Sequence, residues 1–208
     1  MRAVVSCAFR EPYLTHSFNQ EKVLLKSKGV NGAVCKEALP YKEGLVTENI
    51  IERFQKSLYG FKPHAIQTIL DTGCKQIIWL DPSVLPTTDI NLMFDELEKT
   101  DMLVQTGTDN INDMANDKSI KWFGLDRDNL KDVRHIGGTV YGFNFDNPKT
   151  LATFNLWKRA EEEGIFGNQD EFMAGHWADE SCLALAMHVN GIEQKFSKTF
   201  KFRNQKNG

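Results

Sequence analysis

Apolar and polar positions follow one another along this chain in blocks that predict strands and helices in turn. Ala3–Ala8 is an apolar run of strand length, and Lys75–Leu80 is another, with four continuously apolar residues at its end. A strand that is apolar throughout is typically buried on both faces, between layers of helices. Stripes of helical period predict helices over Thr15–Lys28, Pro148–Glu163 and Glu180–Val189. The pattern therefore predicts an α/β chain.

Weaker signals predict the remaining elements. Apolar residues of helical or alternating period lie between good caps, prolines and glycines. In chain order these signals predict a strand at Ala33–Cys35, a helix at Glu48–Ser57, a helix from Lys62 to Gly73, a helix at Ile90–Lys99, strands at Met102–Gln105 and Thr139–Phe145, and an edge strand after Lys195.

Alternation of strands and helices predicts a mostly parallel central sheet flanked by helices, in one domain over residues 1–208. Ligands of such sheets bind beyond the carboxyl ends of the strands, which directs attention to the residues after Ala8 and Leu80. The stretch 107–131 is polar and rich in Asp and Asn. Its length predicts a functional loop, a flap with Trp122 and Phe123 as latches.

Composition narrows the class of protein. The chain has 208 residues, of which 41% are hydrophobic, and its 14 Phe and 4 Trp predict a folded core. A net charge of −3 without a basic stripe argues against nucleic-acid binding. No apolar run approaches the roughly 20 residues of a membrane span. The four cysteines are far apart and predict reduced thiols in a cytoplasmic protein.

The strongest local signal is the segment that follows the apolar strand, Asp81-Pro82-Ser83. In an extended chain, side chains two residues apart point the same way, so Asp81 and Ser83 would project together into a ligand crevice. Their oxygens suit Mg²⁺ or Mn²⁺ with substrate phosphates completing the shell. Asp-Pro-Ser is also good turn chemistry, and the spacing alone leaves the two interpretations open.

The segment from Tyr59 to Leu85 resembles the core of GT-A-fold glycosyltransferases. It is most similar to the galactosyltransferase/glycogenin-like group, in which a helix carrying Lys or Arg precedes a strand ending in Asp-x-Asp. The resemblance extends over residues 3–192. Three further segments carry it, and they are Ala8-Phe9-Arg10-Glu11-Pro12-Tyr13, Gly137-Gly138-Thr139-Val140-Tyr141-Gly142-Phe143 and Asp179-Glu180-Ser181-Cys182-Leu183.

The resemblance implies transfer of a sugar from a nucleotide-sugar, most simply a UDP-sugar, to a carbohydrate or glycoprotein-glycan acceptor with retained anomeric configuration. Asp179 and Glu180 would be the catalytic carboxylates, and Asp81 with Ser83 would hold Mn²⁺ or Mg²⁺. The chain also resembles glycosyltransferase domains that large algal (chlorella) viruses encode for capsid glycosylation, which implies host cytoplasm. The implied donor-binding residues are Ala8, Arg10, Tyr13, Lys62, Asp81, Ser83, Gly137 and Gly138.

Each of these positions also has a structural interpretation. Asp179 suits the N-cap of the helix beginning at Glu180. Lys62 could be a solvated lysine of a first helical turn. Gly137 and Gly138 could form a plain turn or bulge, although missing side chains also suit close approach of a sugar.

Two departures from the family pattern matter. Ser83 replaces the second metal-binding carboxylate and is a neutral, weaker ligand. The usual C-terminal His-x-x-Gly-x-x-Lys segment is absent after Ile192. These departures favour one alternative, a non-catalytic module that binds a nucleotide-sugar or glycan. A nucleotidyltransferase is the other alternative, although Phe9-Arg10-Glu11-Pro12 lacks the Gly-rich basic loop of that class.

Overall fold

The computed structural model describes residues 2–8, 12–26 and 57–205. The predicted strand at 33–35, the predicted helix at 48–57 except its last residue, and Arg10 lie outside these ranges. The described strands are β1 (Arg2–Val5), β2 (Gln76–Leu80), β3 (Val84–Pro86), β4 (Met102–Asn110), β5 (Arg134–Asn144) and β6 (Phe202–Asn204). The described α-helices are α1 (Tyr13–Leu24), α2 (Phe61–Leu70), α3 (Asn91–Leu97), α4 (Ile111–Met114), α5 (Asp117–Trp122), α6 (Pro148–Glu162), α7 (Gln169–Met173) and α8 (Ala178–Val189).

The central sheet has the strand order β1-β2-β5-β4, and β3 pairs with β6 in a separate ribbon. The expectation of an α/β architecture with helices flanking a central sheet is confirmed. The expectation of mostly parallel strands is wrong for the described residues, because β1–β2 is parallel whereas β2–β5 and β4–β5 are antiparallel. A continuously apolar strand indicates that both of its faces are buried. It does not indicate whether the neighbouring strands run parallel or antiparallel to it.

Alternate residues of β2 pack into two different hydrophobic clusters, which is why this strand is apolar throughout. Ile77 and Trp79 lie in the cluster that contains α2, α6 and α8. Ile78 and Leu80 lie in the cluster on the opposite face, which contains α3. All four side chains are fully buried, so helices cover the sheet on both sides.

The stretch 107–131 is not the long loop that its polarity predicts. It holds the end of β4, helices α4 and α5, and a 3₁₀ turn at Arg127–Leu130. Four apolar side chains anchor these short elements in the core, because each is at most 8% exposed, and they are Ile111, Ile120, Phe123 and Leu130. The flap hypothesis is therefore wrong for Phe123, which is a core residue. Among the described helices, none combines the length and apolar character that a membrane span requires.

Candidate active site

A cavity of about 290 Å³ opens beyond the carboxyl ends of β1 and β2, and we call it the strand-end cavity. Because β5 runs antiparallel to β2, the early part of β5 lies beside the end of β2, and Val140 pairs with Leu80. This register brings Gly138 to the same edge of the sheet as Asp81. The lining residues are Cys7, Ala8, Tyr13, Tyr59, Phe61, Lys62, Asp81, Pro82, Ser83, Gly138, Thr139 and Glu180.

A buried ion pair lies behind the cavity wall. The Nζ of Lys62, in the first turn of α2, is 2.6 Å from Oδ2 of Asp179 and donates to the carbonyl of Gly138 at 3.0 Å. The hydroxyl of Tyr141 donates to the same Asp179 oxygen at 2.9 Å. Both partners of the ion pair are at most 3% exposed at the side chain. The interpretation of Lys62 as a solvated lysine is therefore wrong.

The electrostatics of this pair keep the lysine charged. Burial by itself lowers the pKa of Lys62, but the carboxylates of Asp179, Asp81 and Glu180 outweigh burial and raise it. Burial raises the pKa of Asp179, while the ammonium of Lys62 and the hydroxyl of Tyr141 oppose that rise. Cation–π contacts add support, since Nζ lies 4.8 Å from the ring centre of Tyr59 and 5.5 Å from that of Tyr141.

Glu180 lies beside this pair and faces the cavity. Its Oε1 accepts the backbone N–H of Gly138 at 2.7 Å. A Cβ atom at position 138 would lie 2.4 Å from that Oε1 and 2.9 Å from Nζ of Lys62. The absence of a side chain at Gly138 therefore lets the two charged groups approach its backbone closely, and the approach of a sugar there stays a prediction. A carboxylate and an ammonium thus converge on one point of the wall.

The position of Glu180 changes its proton affinity. Burial, and then the charge on Asp179, raise the pKa of Glu180 from the ordinary 4.5 to about 7. The ammonium of Lys62 and the N–H of Gly138 oppose this rise. A carboxyl group with a pKa near neutrality can exchange protons with a ligand at physiological pH.

Asp81 and Ser83 both line the cavity, but they form a turn and not an extended segment. Oδ1 of Asp81 accepts from the backbone N–H of Ser83 at 2.9 Å and from its hydroxyl at 2.7 Å. The side chain of Gln20 on α1 donates to the carbonyls of Asp81 and Val84, which fixes the turn from outside. The turn interpretation and the cavity placement are therefore both correct.

We tested whether this pair suits the implied divalent metal. One Asp81 oxygen already accepts two hydrogen bonds, and the hydroxyl of Ser83 is one of the donors. Within the described residues, no three side chains of His, Cys, Asp or Glu form a group that could hold a metal ion. These residues do not build a metal site by themselves, so binding of Mn²⁺ or Mg²⁺ at Asp81 and Ser83 stays a prediction.

The start of α8 places the two acidic residues. The helix begins at Ala178 with Trp177 as N-cap, and no side-chain hydrogen bond caps it. The N-cap interpretation of Asp179 is therefore wrong, since its carboxylate binds Lys62 and Tyr141. Both carboxylates still lie in the first turn, where the helix dipole favours negative charge.

Backbone strain accompanies this arrangement. In the described part of the chain, the non-glycine residues with positive φ are Tyr59 at 60° and Ala178 at 34°. Tyr59 precedes Lys62 by three residues, and Ala178 directly precedes Asp179. Strained backbone of this kind persists where surrounding structure enforces it, and it concentrates at functional sites. Backbone with positive φ thus lies close in sequence to both partners of the ion pair.

The other predicted donor-site residues divide between two cavities. Ala8 and Tyr13 line the strand-end cavity with Lys62, Asp81 and Ser83. Gly137 instead lines a second cavity of about 290 Å³, which we call the Trp177 cavity. Gly138 and Glu180 border both.

Sequence reasoning missed the roles of three residues of this region. Tyr59 and Phe61 line the strand-end cavity, and Tyr141 holds Asp179. A signal for Tyr141 was available, since a tyrosine in a buried strand needs a partner for its hydroxyl. A further residue of this region, His135, is buried beside Glu180.

Comparisons with known proteins give a likeness in fold. No family model matches this sequence, and no curated protein matches it. Among solved structures, mouse xyloside xylosyltransferase 1 in its apo form is similar with a TM-score of 0.38 and 14% identity, over 67% of this chain and 54% of that chain. The galactosyltransferase LgtC with donor and acceptor sugar analogues gives 0.45 and 12%, over 89% of this chain and 70% of that chain. The bifunctional glycosyltransferase WbbM in its apo form gives 0.49 and 10%, over 94% and 38%.

This chain thus spans 54% of the mouse enzyme's length. At such low identity the likeness concerns backbone arrangement only.

Proposed function

We propose that this chain is a GT-A-like glycosyltransferase, a hexosyltransferase that moves a sugar from a UDP-sugar to a carbohydrate or glycoprotein-glycan acceptor. The observation that carries the proposal is the convergence of Lys62 and Glu180 on the backbone of Gly138. Glycosyl transfer separates charge, because the leaving diphosphate becomes more negative while the sugar carbon becomes cationic. An ammonium and a carboxylate at one wall match these two developing charges.

In the proposed step, an acceptor hydroxyl attacks the anomeric carbon of the donor. A carbon–oxygen bond forms to the acceptor, and the bond from that carbon to the diphosphate oxygen breaks with its electron pair leaving on the diphosphate. The ionised carboxylate of Glu180 stabilises the cationic sugar and accepts the hydroxyl proton. Asp179 is then a positioning residue, since it holds Lys62 and does not line the cavity.

The nucleotide half of the donor is assigned to the opposite side of the strand-end cavity. Ala8 and Tyr13 would frame the base, with Arg10 proposed beside them from the sequence resemblance. The second Asp81 oxygen, which accepts no hydrogen bond from another described residue, would accept a ribose hydroxyl. Retention of anomeric configuration is carried over from the same resemblance, and proton NMR of the first product tests it.

Two measurements on the full chain test the proposal. Thermal midpoints with UDP, GDP, CDP and ADP should show the largest rise with UDP, because a ligand that binds only the folded state stabilises it. Release of UDP from UDP-glucose, UDP-galactose and UDP-xylose should then exceed the rate without enzyme for at least one donor.

Each contrary result has a distinct meaning. Binding of UDP without release of UDP from any donor would favour the non-catalytic binding module. Release of pyrophosphate from a nucleoside triphosphate and a sugar phosphate would favour the nucleotidyltransferase. Absence of binding by all four nucleotides would contradict the donor assignment.

A further inference from the structure

The Trp177 cavity adjoins the strand-end cavity at Glu180, and the proposed function leaves it without a ligand. The two cavities share Gly138, Thr139 and Glu180. A ligand in either one therefore reaches the same carboxylate. A transfer reaction needs such a shared wall, because two substrates must meet at one group.

A buried polar atom in this second cavity lacks a partner. Nε2 of His135 makes no hydrogen bond within the described residues, although His135 is only 6% exposed. It lies 3.4 Å from Oε2 of Glu180. Buried polar atoms are almost always satisfied, so an orphaned one indicates a missing group. A hydroxyl placed beside both atoms can bind each of them, since it donates to a carboxylate and accepts from an imidazole N–H.

Trp177 supplies an apolar wall. The residue is 39% exposed, and its backbone N–H is fixed by a hydrogen bond to the carbonyl of Met114. Its ring is held at 5.1 Å from the ring of Phe172 and 6.0 Å from that of His135. An exposed indole held in place offers a flat apolar surface to a ligand.

The charge of the cavity selects against anions. Its described lining holds two carboxylates, Asp109 and Glu180, and no Lys or Arg. Gln105 and Asn204 add side-chain amides. The lining therefore disfavours anionic ligands, while its amides, its carboxylates and the Trp177 indole suit a ligand that has an apolar face and carries several hydroxyls.

We infer that the Trp177 cavity binds a neutral saccharide, with its ring on the Trp177 indole and one hydroxyl hydrogen-bonded to both His135 Nε2 and Glu180 Oε2. This inference rests on the proposed function in naming that saccharide the acceptor, and it deepens that proposal by naming the acceptor class. His135 is then a substrate-binding residue, which its neutral form suits, since burial lowers its pKa to about 4.

The test uses the full chain and stated probes. Methyl glycosides of glucose, galactose, mannose and xylose, with lactose and maltose, are titrated by calorimetry and by tryptophan fluorescence. Glucose 6-phosphate is the charged counterpart. At least one neutral probe should bind, and glucose 6-phosphate should bind more weakly than methyl glucoside.

Variants locate the binding. Trp177→Ala and His135→Gln should each weaken saccharide affinity about tenfold or more, while UDP affinity stays unchanged. Matched controls are Trp122→Ala, on α5 outside both cavities, and His188→Gln, exposed near the end of α8. Both controls should bind saccharide as the unmodified chain does.

Two results would overturn the inference. One is that no neutral probe binds, and the other is that saccharide affinity is the same in Trp177→Ala and His135→Gln as in the controls. UDP binding is scored separately. If UDP does not bind but saccharide affinity still depends on Trp177, the donor assignment is contradicted and this inference is not.

Discussion

The strand-end cavity and the Trp177 cavity share a wall but differ in how their polar groups are paired. In the first, Lys62 is bound to Asp179 and the Gly138 carbonyl, and one Asp81 oxygen is bound by Ser83. In the second, Nε2 of His135 has no partner among the described residues. The first cavity carries charges that the protein itself holds in place. The second contains a neutral imidazole whose Nε2 makes no hydrogen bond within the described residues.

This difference predicts in which cavity a substitution changes stability as well as binding. Breaking a buried ion pair leaves an uncompensated charge, so substitutions around Lys62 act on folding as well as on binding. Substitution of a group whose hydrogen-bond partner is supplied only by a ligand should change the affinity for that ligand. The two cavities should therefore separate in experiments that measure stability and affinity side by side.

The largest expected effect is on the ion pair. Lys62→Met and Asp179→Asn should each lower the free energy of unfolding by about 3–5 kcal/mol, because each leaves a buried partner without its counter-charge. Urea unfolding measures this. The control is Lys131→Met, whose ion pair with Asp128 is exposed and worth at most about 1 kcal/mol. A loss below that of the control would contradict the electrostatic account of Lys62.

The next effect concerns the shared wall. Glu180→Gln should reduce UDP release by on the order of 100-fold with UDP affinity unchanged, because the amide cannot accept the proton. Initial rates and calorimetry measure the two quantities. Glu162→Gln, at the exposed end of α6, is the matched control. In the unmodified chain, the rate should rise with pH through about 7, since the ionised carboxylate is the active form. Full rate in Glu180→Gln would place the reacting carboxylate elsewhere.

A smaller effect appears in stability against pH. The pKa of Glu180 is raised in the folded chain to about 7, so the folded state binds more protons than the unfolded state between its ordinary pKa of 4.5 and about 7. The stability that this group contributes is present below pH 4.5 and is lost as pH rises through about 7. Glu180→Gln should lack this loss, worth up to about 2 kcal/mol after a discount for solvent.

Urea unfolding of both chains at pH 5 and pH 8 checks this prediction. The charged groups around Glu180 are Asp179, Lys62 and Asp81. A difference between the two chains that is the same at both pH values would show that Glu180 does not cause the pH dependence.

The smallest effect is at the turn. Asp81→Ala should weaken UDP binding about tenfold, because one acceptor for the nucleotide is lost. Ser83→Asp should create an enhancement of UDP binding by Mn²⁺ if the ion binds there, since a second carboxylate strengthens an oxygen site. Calorimetry with and without Mn²⁺ measures both. Asp146→Ala, just beyond the far end of β5, is the control and should bind UDP normally. Equal UDP affinity in Asp81→Ala and this control would contradict the placement of the nucleotide.

Sequence patterns predicted the helices and strands whose buried residues form a continuous run or recur at a regular spacing. β2 appears in the sequence as a continuous apolar run because both of its faces are buried, and α6 shows a helical period because one of its faces packs in the core. The direction of the strands was mispredicted, since burial on two faces is the same in parallel and antiparallel sheets. The stretch 107–131 was mispredicted because its five buried apolar residues are spread over short segments that show no period.

The site was predicted in part. Lys62, Asp81, Ser83 and Glu180 do meet at one cavity, as the strand-end rule implies. The ion pair of Lys62 with Asp179 was not predicted, because it joins residues 117 positions apart and depends on where α8 begins. Asp179 was weighed as a helix cap or a reacting carboxylate, and the structure gives it a third role that local sequence does not show.

The glycine at position 138 ties together positions that are far apart in the chain. A methyl group there would come within 3.0 Å of Oε1 and Cγ of Glu180 and of Nζ of Lys62, so these side chains would have to move. A larger residue at 138 is therefore accommodated more easily once position 180 has lost its long side chain, and a glutamate at 180 fits most easily while 138 remains glycine. The order of substitutions is thereby constrained, and related chains should show these two positions changing together.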